Sequence, residues 1–297
     1  MIRRPPRSTQ GVSSAASDVY KRQALASSIE REVSTGVVDL IGSGISPHLA
    51  VVIVGEDPAS RVYVRNKQRA CERCGIKSTL IEMPEASTQE EIIATVEGLN
   101  SDASVHGILV QSPIPGDVNE LEVASVISPL KDVDGFHPAN LGRLVQGDFS
   151  GLLPCTPAGV VRMLEHSGLQ LTGAKAAVLG RSRIVGMPMS LMLAGKGVDA
   201  TVTIVHSRTQ DVESICKESD IIIAAIGRPH TIKTDWVKSE AYVVDVGISR
   251  MDDGELAGDV DPQVADVACW MTPVPGGVGP VTIAMLMENT LTAARNS

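Results

Sequence analysis

Four polar side chains in this sequence have types and positions that suit acid–base chemistry. Tyr63 and Lys67 are four residues apart in the helix-like run "GEDPASRVYVRNKQRACERCG", so they share a helix face. Gln111 follows the apolar run "HGILV", and Asp134 lies in "KDVDGFHPANLGR". A lysine in this setting could move protons on a polar substrate that the other side chains orient. Each residue alone also fits a plainer role, on a solvated helix face or in a turn.

Alternating strand and helix patterns before residue 155 predict a parallel sheet covered on both faces by helices. The Tyr63–Lys67 helix follows the first strand, and open sheets of this kind bind ligands at the carboxyl ends of their strands. We interpret 131–143 as a loop. The predicted strands are 47–55, 76–84 and 105–115, and the other predicted helices are 24–40, 88–102 and 119–128.

A second alternating series follows a long helix that begins near Pro157, so we place a domain boundary near residue 155. We predict helices in "GMPMSLMLAGKG", in 211–219 and in the final "PVTIAMLMENTLTAARNS". We expect the final helix to pack back on the first domain. The predicted strands are 174–180, 200–206, 220–227, 241–247 and 268–276.

The turn "VLGRSRIVGMP" (178–188) joins a predicted strand to a helix, and such turns offer backbone N–H groups to phosphate. It departs from G-x-G-x-x-G because Ser182 occupies the second glycine position. The next strand ends in "HSRT" without the carboxylate typical of NAD sites. Ser207 and Arg208, with Arg181, suit a 2′-phosphate instead, which favours NADP. The alternative is a plain turn with solvated charges.

Bulk composition limits the class of protein. The chain has 297 residues, of which 43% are hydrophobic and 2% aromatic, which is typical of α/β proteins with aliphatic cores. Because the sequence lacks an apolar run of about 18–20 residues, we expect no membrane span. The net charge of −9 argues against a nucleic-acid partner. Five cysteines without framework spacing predict a reducing compartment and, in Cys71-x-x-Cys74, a structural role. The six histidines are dispersed, so we predict no metal site.

Residues 1–23 differ in composition from the rest of the chain. They contain five of the 26 basic residues and one of the 35 acidic ones, so 24–297 carries a net charge of −13. The segment has neither an apolar core nor an amphipathic period, and it resembles translated sequencing-adapter sequence. We predict that residues 1–23 are a disordered, non-native head.

The motifs occur in the order seen in a known family. "VGEDPASRVYVRNK", "HGILVQSPIP", "KDVDGFHPANLGR", "PCTPAG", "GRSRIVGMP", "HSRT" and "TPVPGGVGPVTIAML" resemble the bifunctional methylenetetrahydrofolate dehydrogenase/cyclohydrolase family across 24–297. The resemblance implies an α/β enzyme with two domains and an active site in the cleft between them. We expect 24–155 plus 277–297 to form a folate-binding catalytic domain and 156–276 a Rossmann-type NADP-binding domain.

The resemblance also implies the chemistry. The enzyme would oxidise 5,10-methylenetetrahydrofolate with NADP and hydrolyse the methenyl product to 10-formyltetrahydrofolate. Lys67 would be the general acid/base, because a cleft that desolvates an amine beside a cationic substrate favours its neutral form. Gln111 would orient Lys67, Tyr63 would contact the folate, and Asp134 would accept hydrogen bonds from the pterin.

The same resemblance implies the remaining contacts with cofactor and folate. We also expect a homodimer and a cytoplasmic location. Cofactor contacts are expected from Gly180, Arg181, Ser182, Ile184, Val185, Gly186, Ser207, Arg208, Gly227 and Ile248. Folate contacts are expected from Tyr63, Asp134, Pro275, Gly276, Gly277, Val278, Gly279 and Pro280.

Two departures from the family pattern stand out. Ser112 follows Gln111 where the family commonly has Leu, and the head replaces the family's usual Asp-Gly-Lys entry to the first helix. The alternatives are an NADP-dependent dehydrogenase of another small substrate, a dehydrogenase without the hydrolase step, and a non-catalytic NADP-binding protein. Retention of Lys67 and Asp134 argues against the last two.

Overall fold

The computed structural model describes the backbone of residues 14–297 and the side chains of residues 24–297. Helix α1 spans Ser14–Gly42, so it begins ten residues before the predicted start at Ala24. Its first ten residues contain neither Gly nor Pro, so nothing in them interrupts the helix. The structure thus assigns 14–23 to a helix and not to an irregular segment, while residues 1–13 lie outside the described residues. The prediction that 1–23 is a disordered, non-native head stays a prediction.

The first lobe is built on a small parallel sheet. Its strands are β1 (His48–Val54), β2 (Lys77–Met83) and β3 (Gly107–Val110), in the order β2-β1-β3. All seven residues of β1 are buried, as expected for a central strand between helical layers. The helices of this lobe are α2 (Pro58–Cys74), α3 (Gln89–Ser101), α4 (Glu120–Val126) and α5 (Pro138–Val145).

The second lobe follows α6 (Cys155–His166) and contains a five-stranded parallel sheet. Its strands are β4 (Lys175–Leu179), β5 (Thr201–Val205), β6 (Ile221–Ala224), β7 (Tyr242–Asp245) and β10 (Trp270–Met271); the helices are α7 (Gly186–Ala194), α8 (Val212–Glu218) and α9 (Val278–Arg295). The strand order β10-β7-β6-β4-β5 reverses direction beside β4, as in doubly wound nucleotide-binding sheets. The fold prediction is confirmed.

The last helix, α9, packs against α1, α2 and α6. The core cluster that contains it extends from Ile29 and Leu49 through Leu286 to Met163 and Met189, so buried apolar side chains connect both lobes. The return of α9 to the first lobe supports the proposed division of the chain, which itself stays a prediction.

Some short helices and strands of the structure were not predicted from the sequence. Helix α5 lies within the segment interpreted as a loop; its N-cap is His137, whose ring Nδ1 accepts from the Ala139 N–H at 3.0 Å, and Pro138 occupies the first turn. Two short strands, β8 (Ser249–Arg250) and β9 (Leu256–Ala257), form an unpredicted hairpin. None of the helices in 14–297 is both long and apolar enough to span a bilayer.

Candidate active site

A cavity of about 460 Å³ opens between the two lobes at the carboxyl end of β3. Five of the predicted site residues line it: Lys67, Gln111 and Asp134 from the first lobe, and Ser182 and Ile184 from the second. Other residues that line it include Arg183, Phe136, Asp132, Glu120 and apolar side chains of β3 and α4. The predicted chemical residues and part of the predicted cofactor turn thus meet in one place.

Helix α2 and strand β3 hold Lys67 and Gln111 against each other. The helix is capped by Asp57, whose carboxylate accepts from the Ser60 N–H at 2.7 Å, and it ends at Gly75 with φ +74°. The Gln111 N–H continues the sheet by donating to the Val52 carbonyl at 2.8 Å. Lys67 Nζ then donates to Gln111 Oε1 at 3.0 Å. A central helix position and a strand end therefore give the amine a defined location.

The other end of the Gln111 amide is also fixed. Its Nε2 donates to the Ser112 carbonyl at 2.6 Å, so the oxygen must face Lys67. Ser112, where the family commonly has Leu, donates its hydroxyl to the Glu120 carboxylate, which also accepts from the Ile114 N–H at 3.0 Å. The Ser112 hydroxyl and the Ile114 N–H thus connect the cavity rim to α4.

The two aspartates of the "DVDG" segment have different roles in the structure. Asp132 is 1% exposed and accepts from the Phe136 and His137 N–H groups at 3.2 and 2.8 Å and from Asn140 Nδ2 at 2.8 Å. It therefore orders the turn. No described residue donates a hydrogen bond to Asp134, which lines the cavity with its carboxylate free for a ligand.

The charges around the cavity are coupled. Burial raises the pKa of Asp134 above its usual range, while Lys67 acts to lower it and Asp132 to raise it. Burial also raises the pKa of Asp132, against the hydrogen bonds that it accepts. A donor on a bound ligand would stabilise the ionised form of Asp134 and offset part of its burial.

Contacts from distant segments anchor the Asp134 turn. Asn289 of α9 donates from Nδ2 to the carbonyls of Val133 and Leu153, both at 2.8 Å. The Cys155 thiol donates to the same Val133 carbonyl at 3.2 Å, and burial raises the pKa of this thiol well above its usual range. Gly135 has φ +77°, and its Cα lies against the Leu153 backbone, where a side chain would not fit.

Tyr63 lies one helical turn before Lys67 on α2 but does not line this cavity. It is 39% exposed. The "PVPGGVGP" segment (273–280) runs from the end of β10 into the first turn of α9 and likewise lies outside the cavity wall. Gly276 in this segment has φ +92°, a conformation that favours glycine. The folate contacts expected of Tyr63 and of 275–280 therefore stay predictions.

The predicted cofactor turn is a tight connection from β4 into α7. Gly180 follows β4 with φ +116°, and a Cβ there would lie 2.9 Å from the Ala225 carbonyl carbon. Gly186 begins α7 so close to the turn that a Cβ would lie 2.8 Å from Arg181 Cα. Ser182 Oγ accepts from the Val185 and Gly186 N–H groups at 3.2 and 3.4 Å. The two glycines permit a tight turn into a helix N-terminus, and the residues present fit a dinucleotide phosphate.

The remaining predicted cofactor residues lie at the carboxyl edge of the same sheet. Ser207 and Arg208 follow β5, Gly227 follows β6, and Ile248 follows β7. All four are exposed, as is Arg181. Exposed cationic and hydroxyl groups beside the phosphate-binding turn suit a 2′-phosphate. No three His, Cys, Asp or Glu side chains of the described residues come together as metal ligands would.

Sequence reasoning missed several residues that build this site, namely Asp132, Asn140, Glu120, Asn289 and Arg183. One guanidinium nitrogen of Arg183, Nη1, is buried without a hydrogen-bond partner among the described residues, and the side chain lines the cavity. Its position beside Ser182 in the predicted cofactor turn could have identified Arg183 as a site residue from the sequence. The sequence offers no such indication for Glu120 and Asn140, because their hydrogen-bond partners are set by tertiary contacts.

Comparisons with known proteins agree with this geometry. The family model described as "Tetrahydrofolate dehydrogenase/cyclohydrolase, catalytic domain" matches residues 21–134. The model described as "Tetrahydrofolate dehydrogenase/cyclohydrolase, NAD(P)-binding domain" matches residues 154–297.

Similar proteins align over nearly their whole length. The bifunctional protein FolD of Moorella thermoacetica is 51% identical over 272 residues, covering 91% of this chain and 96% of the relative. The solved FolD methylenetetrahydrofolate dehydrogenase/cyclohydrolase of Campylobacter jejuni has 45% identity and a TM-score of 0.90, covering 93% and 98% of the two chains. The Trypanosoma brucei enzyme, solved with NADP cofactor and an inhibitor, has 38% identity and a TM-score of 0.87, covering 93% and 96%.

The predicted family is confirmed: matches to both domain models and close relatives across the chain show that it belongs to the tetrahydrofolate dehydrogenase/cyclohydrolase family.

Proposed function

We propose that the cavity between the lobes performs both reactions of this family, with Lys67 moving the protons and Asp134 holding the pterin. The chain is an NADP-dependent 5,10-methylenetetrahydrofolate dehydrogenase and 5,10-methenyltetrahydrofolate cyclohydrolase. One observation carries the assignment of roles: the hydrogen bond of 3.0 Å between Lys67 Nζ and Gln111 Oε1, in a cavity that Asp134 and the cofactor turn also line.

Asp134 is the anchor for the substrate. Its carboxylate accepts no hydrogen bond from a described residue, and its pKa is raised by burial. The amino group and ring N–H of a pterin supply two donors of matching geometry, which would stabilise the ionised carboxylate. Because the Asp132 network fixes the turn, this interaction sets the position of the carbon that loses hydride.

The first reaction requires two ligands to be held face to face. When bound, NADP supplies the acceptor for the hydride. The turn from Gly180 to Gly186 would hold its phosphates at the N-terminus of α7, while Arg181, Ser207 and Arg208 would hold the 2′-phosphate. Asp134 fixes the folate on the opposite side of the cavity. The protein thus provides orientation, and no side chain needs to change its protonation state in this step.

The second reaction requires proton transfer. Water attacks the methenyl carbon, and Lys67 takes one of its protons as the new C–O bond forms. The amine then gives that proton to the departing ring nitrogen as the C–N bond breaks, and the remaining hydroxyl proton of the adduct is released to solvent as the formyl C=O bond forms. Gln111 accepts a hydrogen bond from the amine and keeps it directed into the cavity. Tyr63 would close over the folate from the exposed side of α2.

Replacement of Lys67 tests this assignment. Lys67→Met should lower methenyl hydrolysis by about 10²- to 10⁴-fold, the usual contribution of a general acid/base. Binding of NADP, followed by calorimetry, should be unchanged because Lys67 lies on the other lobe. Lys196→Met, at an exposed lysine outside the cavity, is the matched control. Hydrolysis at the wild-type rate in Lys67→Met would remove Lys67 from its role.

The oligomeric state and location are further parts of the proposal. The chain forms a homodimer. Sedimentation velocity tests this, and a single monomeric species at every protein concentration would contradict it.

A cytoplasmic location is supported by the cysteines, since all five are free and four are buried. Cys71 and Cys74 are among the buried ones, and burial raises the pKa of Cys71 to about 12, in line with a structural role.

A further inference from the structure

Two aspartates of the second lobe are buried as completely as any residue of its core. Asp245 ends β7 and is 2% exposed, and Asp259 follows β9 and is 0% exposed. In the described part of the chain neither forms an ion pair with Lys, Arg or His. Buried carboxylates without a cation are costly, so their retention calls for a structural reason.

Backbone N–H groups supply the missing compensation. The Asp259 carboxylate accepts from the N–H groups of Ile226 at 2.6 Å, Gly227 at 3.0 Å and Arg228 at 2.8 Å. These three residues form the loop after β6. One buried side chain therefore shapes the backbone of the segment that contains the predicted cofactor residue Gly227.

Asp245 extends the same arrangement to the next strand. Its carboxylate accepts from the N–H groups of Gly247 at 3.0 Å, Asp259 at 2.9 Å and Val260 at 2.9 Å. Gly247 directly precedes the predicted cofactor residue Ile248. The two carboxylates thus connect the loops after β6 and β7, and together they receive six backbone hydrogen bonds.

Close packing leaves little freedom in this connection. A Cβ on Gly247 would lie 2.7 Å from Asp259 Oδ2, and a Cβ on Gly258 would lie 2.8 Å from Val274 Cγ2. Thr272 of the neighbouring segment accepts from the Asp245 N–H at 2.7 Å. The carboxyl edge of a parallel sheet is where a dinucleotide binds, so the shape of these loops decides how one is held.

We propose that Asp259 and Asp245 are positioning residues for the cofactor, acting through the loops after β6 and β7 without touching the reacting atoms. This inference rests on the proposed function. No residue from 226 to 260 lines the cavity that contains Lys67, so the two aspartates should affect the NADP-dependent reaction and spare hydrolysis.

The substitution Asp259→Asn tests the charge and the number of acceptors. Asparagine has one acceptor oxygen, so its Nδ2 must face at least one N–H donor that now bonds the carboxylate. We expect the KM for NADP in methylenetetrahydrofolate oxidation to rise about 10- to 100-fold, with the KM for the folate unchanged. Hydrolysis of methenyltetrahydrofolate, measured without NADP in the same preparation, should stay within about twofold of wild type.

Asp261→Asn is the control, because Asp261 lies two residues away and accepts from Gln263 N–H and Lys233 Nζ, both at 3.0 Å, with no contact to either loop. It should change neither KM. If Asp259→Asn is insoluble, Gly247→Ala provides a second test, because it displaces the same carboxylate without removing its charge. It should likewise raise the KM for NADP and leave hydrolysis of methenyltetrahydrofolate unchanged. An unchanged KM for NADP, or a parallel loss of both activities, would overturn the proposal. Wild-type protein without NADP-dependent oxidation would instead refute the proposed function.

Discussion

The turn that carries Asp134 offers the sharpest test of how the fold positions the site. Gly135 has φ +77° and lies against the backbone of the next segment, where an added Cβ would be 2.6 Å from the Leu153 carbonyl oxygen. Gly135→Ala therefore combines two penalties. An L-residue in the left-handed region costs about 1–2 kcal/mol, and overpacking against rigid backbone costs about 1–3 kcal/mol. The sum is about 2–5 kcal/mol.

Two measurements follow from this value. The free energy of unfolding by urea should fall by about 2–5 kcal/mol if the turn keeps its conformation. If the turn instead shifts to admit the methyl group, Asp134 moves with it, and the KM for the folate should rise while the KM for NADP is unchanged. Either outcome places the constraint at this glycine.

Gly142 provides a matched comparison. It lies in α5 without a positive φ, and a Cβ added there would have no neighbouring atom within 4 Å. Gly142→Ala should stabilise the protein by about 0.4–1 kcal/mol, because alanine loses less backbone entropy on folding. A Gly135→Ala protein with wild-type stability and wild-type KM for the folate would refute the close approach on which this reasoning depends.

Three further predictions concern the cofactor, pH and α9. Arg208→Glu should lower kcat/KM for NADP about 10- to 100-fold relative to NAD in steady-state assays, and an unchanged ratio would show that the 2′-phosphate is held elsewhere. Burial lowers the pKa of His48 and His106 in the folded protein. As the pH falls below about 6.5, these histidines therefore take up protons in the unfolded chain before they do so in the folded protein. The contribution of these histidines to urea stability should thus be lost as pH decreases from 7.5 to 5.5, against the opposite effect of Asp245, whose pKa burial raises to about 6. Wild type should therefore lose stability relative to His106→Leu over this range, and a constant difference would exclude His106. Asn289→Leu leaves the Leu153 carbonyl without a donor and the Val133 carbonyl with only the Cys155 thiol, and should cost about 1–3 kcal/mol of unfolding free energy in the same assay, where no loss would contradict the anchoring contacts.

Much of the fold was predictable because its signals are local. The strands around Val51 and Ile223 are continuous apolar runs between turn residues, and parallel strands of this kind must be covered on both faces. Gln111 directly follows β3 and Lys67 lies on the helix after β1, so topology places both near the carboxyl edge of one sheet.

The contacts that hold these residues were not predictable. Asn289 reaches a turn 156 residues earlier in the chain, and no spacing rule connects a helix side chain to a carbonyl so distant. Asp132 and Asp134 cannot be distinguished from the sequence of the "DVDG" segment. Only their burial and hydrogen bonding in the structure separate their roles. Helix α5 escaped notice because its cap is His137, a residue type that seldom signals a helix start.

The anchoring of the Asp134 turn by α9 bears on the order in which the enzyme matures during translation. The Asp134 carboxylate is translated long before Asn289, which fixes its turn. A nascent polypeptide could fold its first sheet early and still lack an ordered pterin anchor. Folate binding would then begin only after α9 has been translated and has packed against the first lobe.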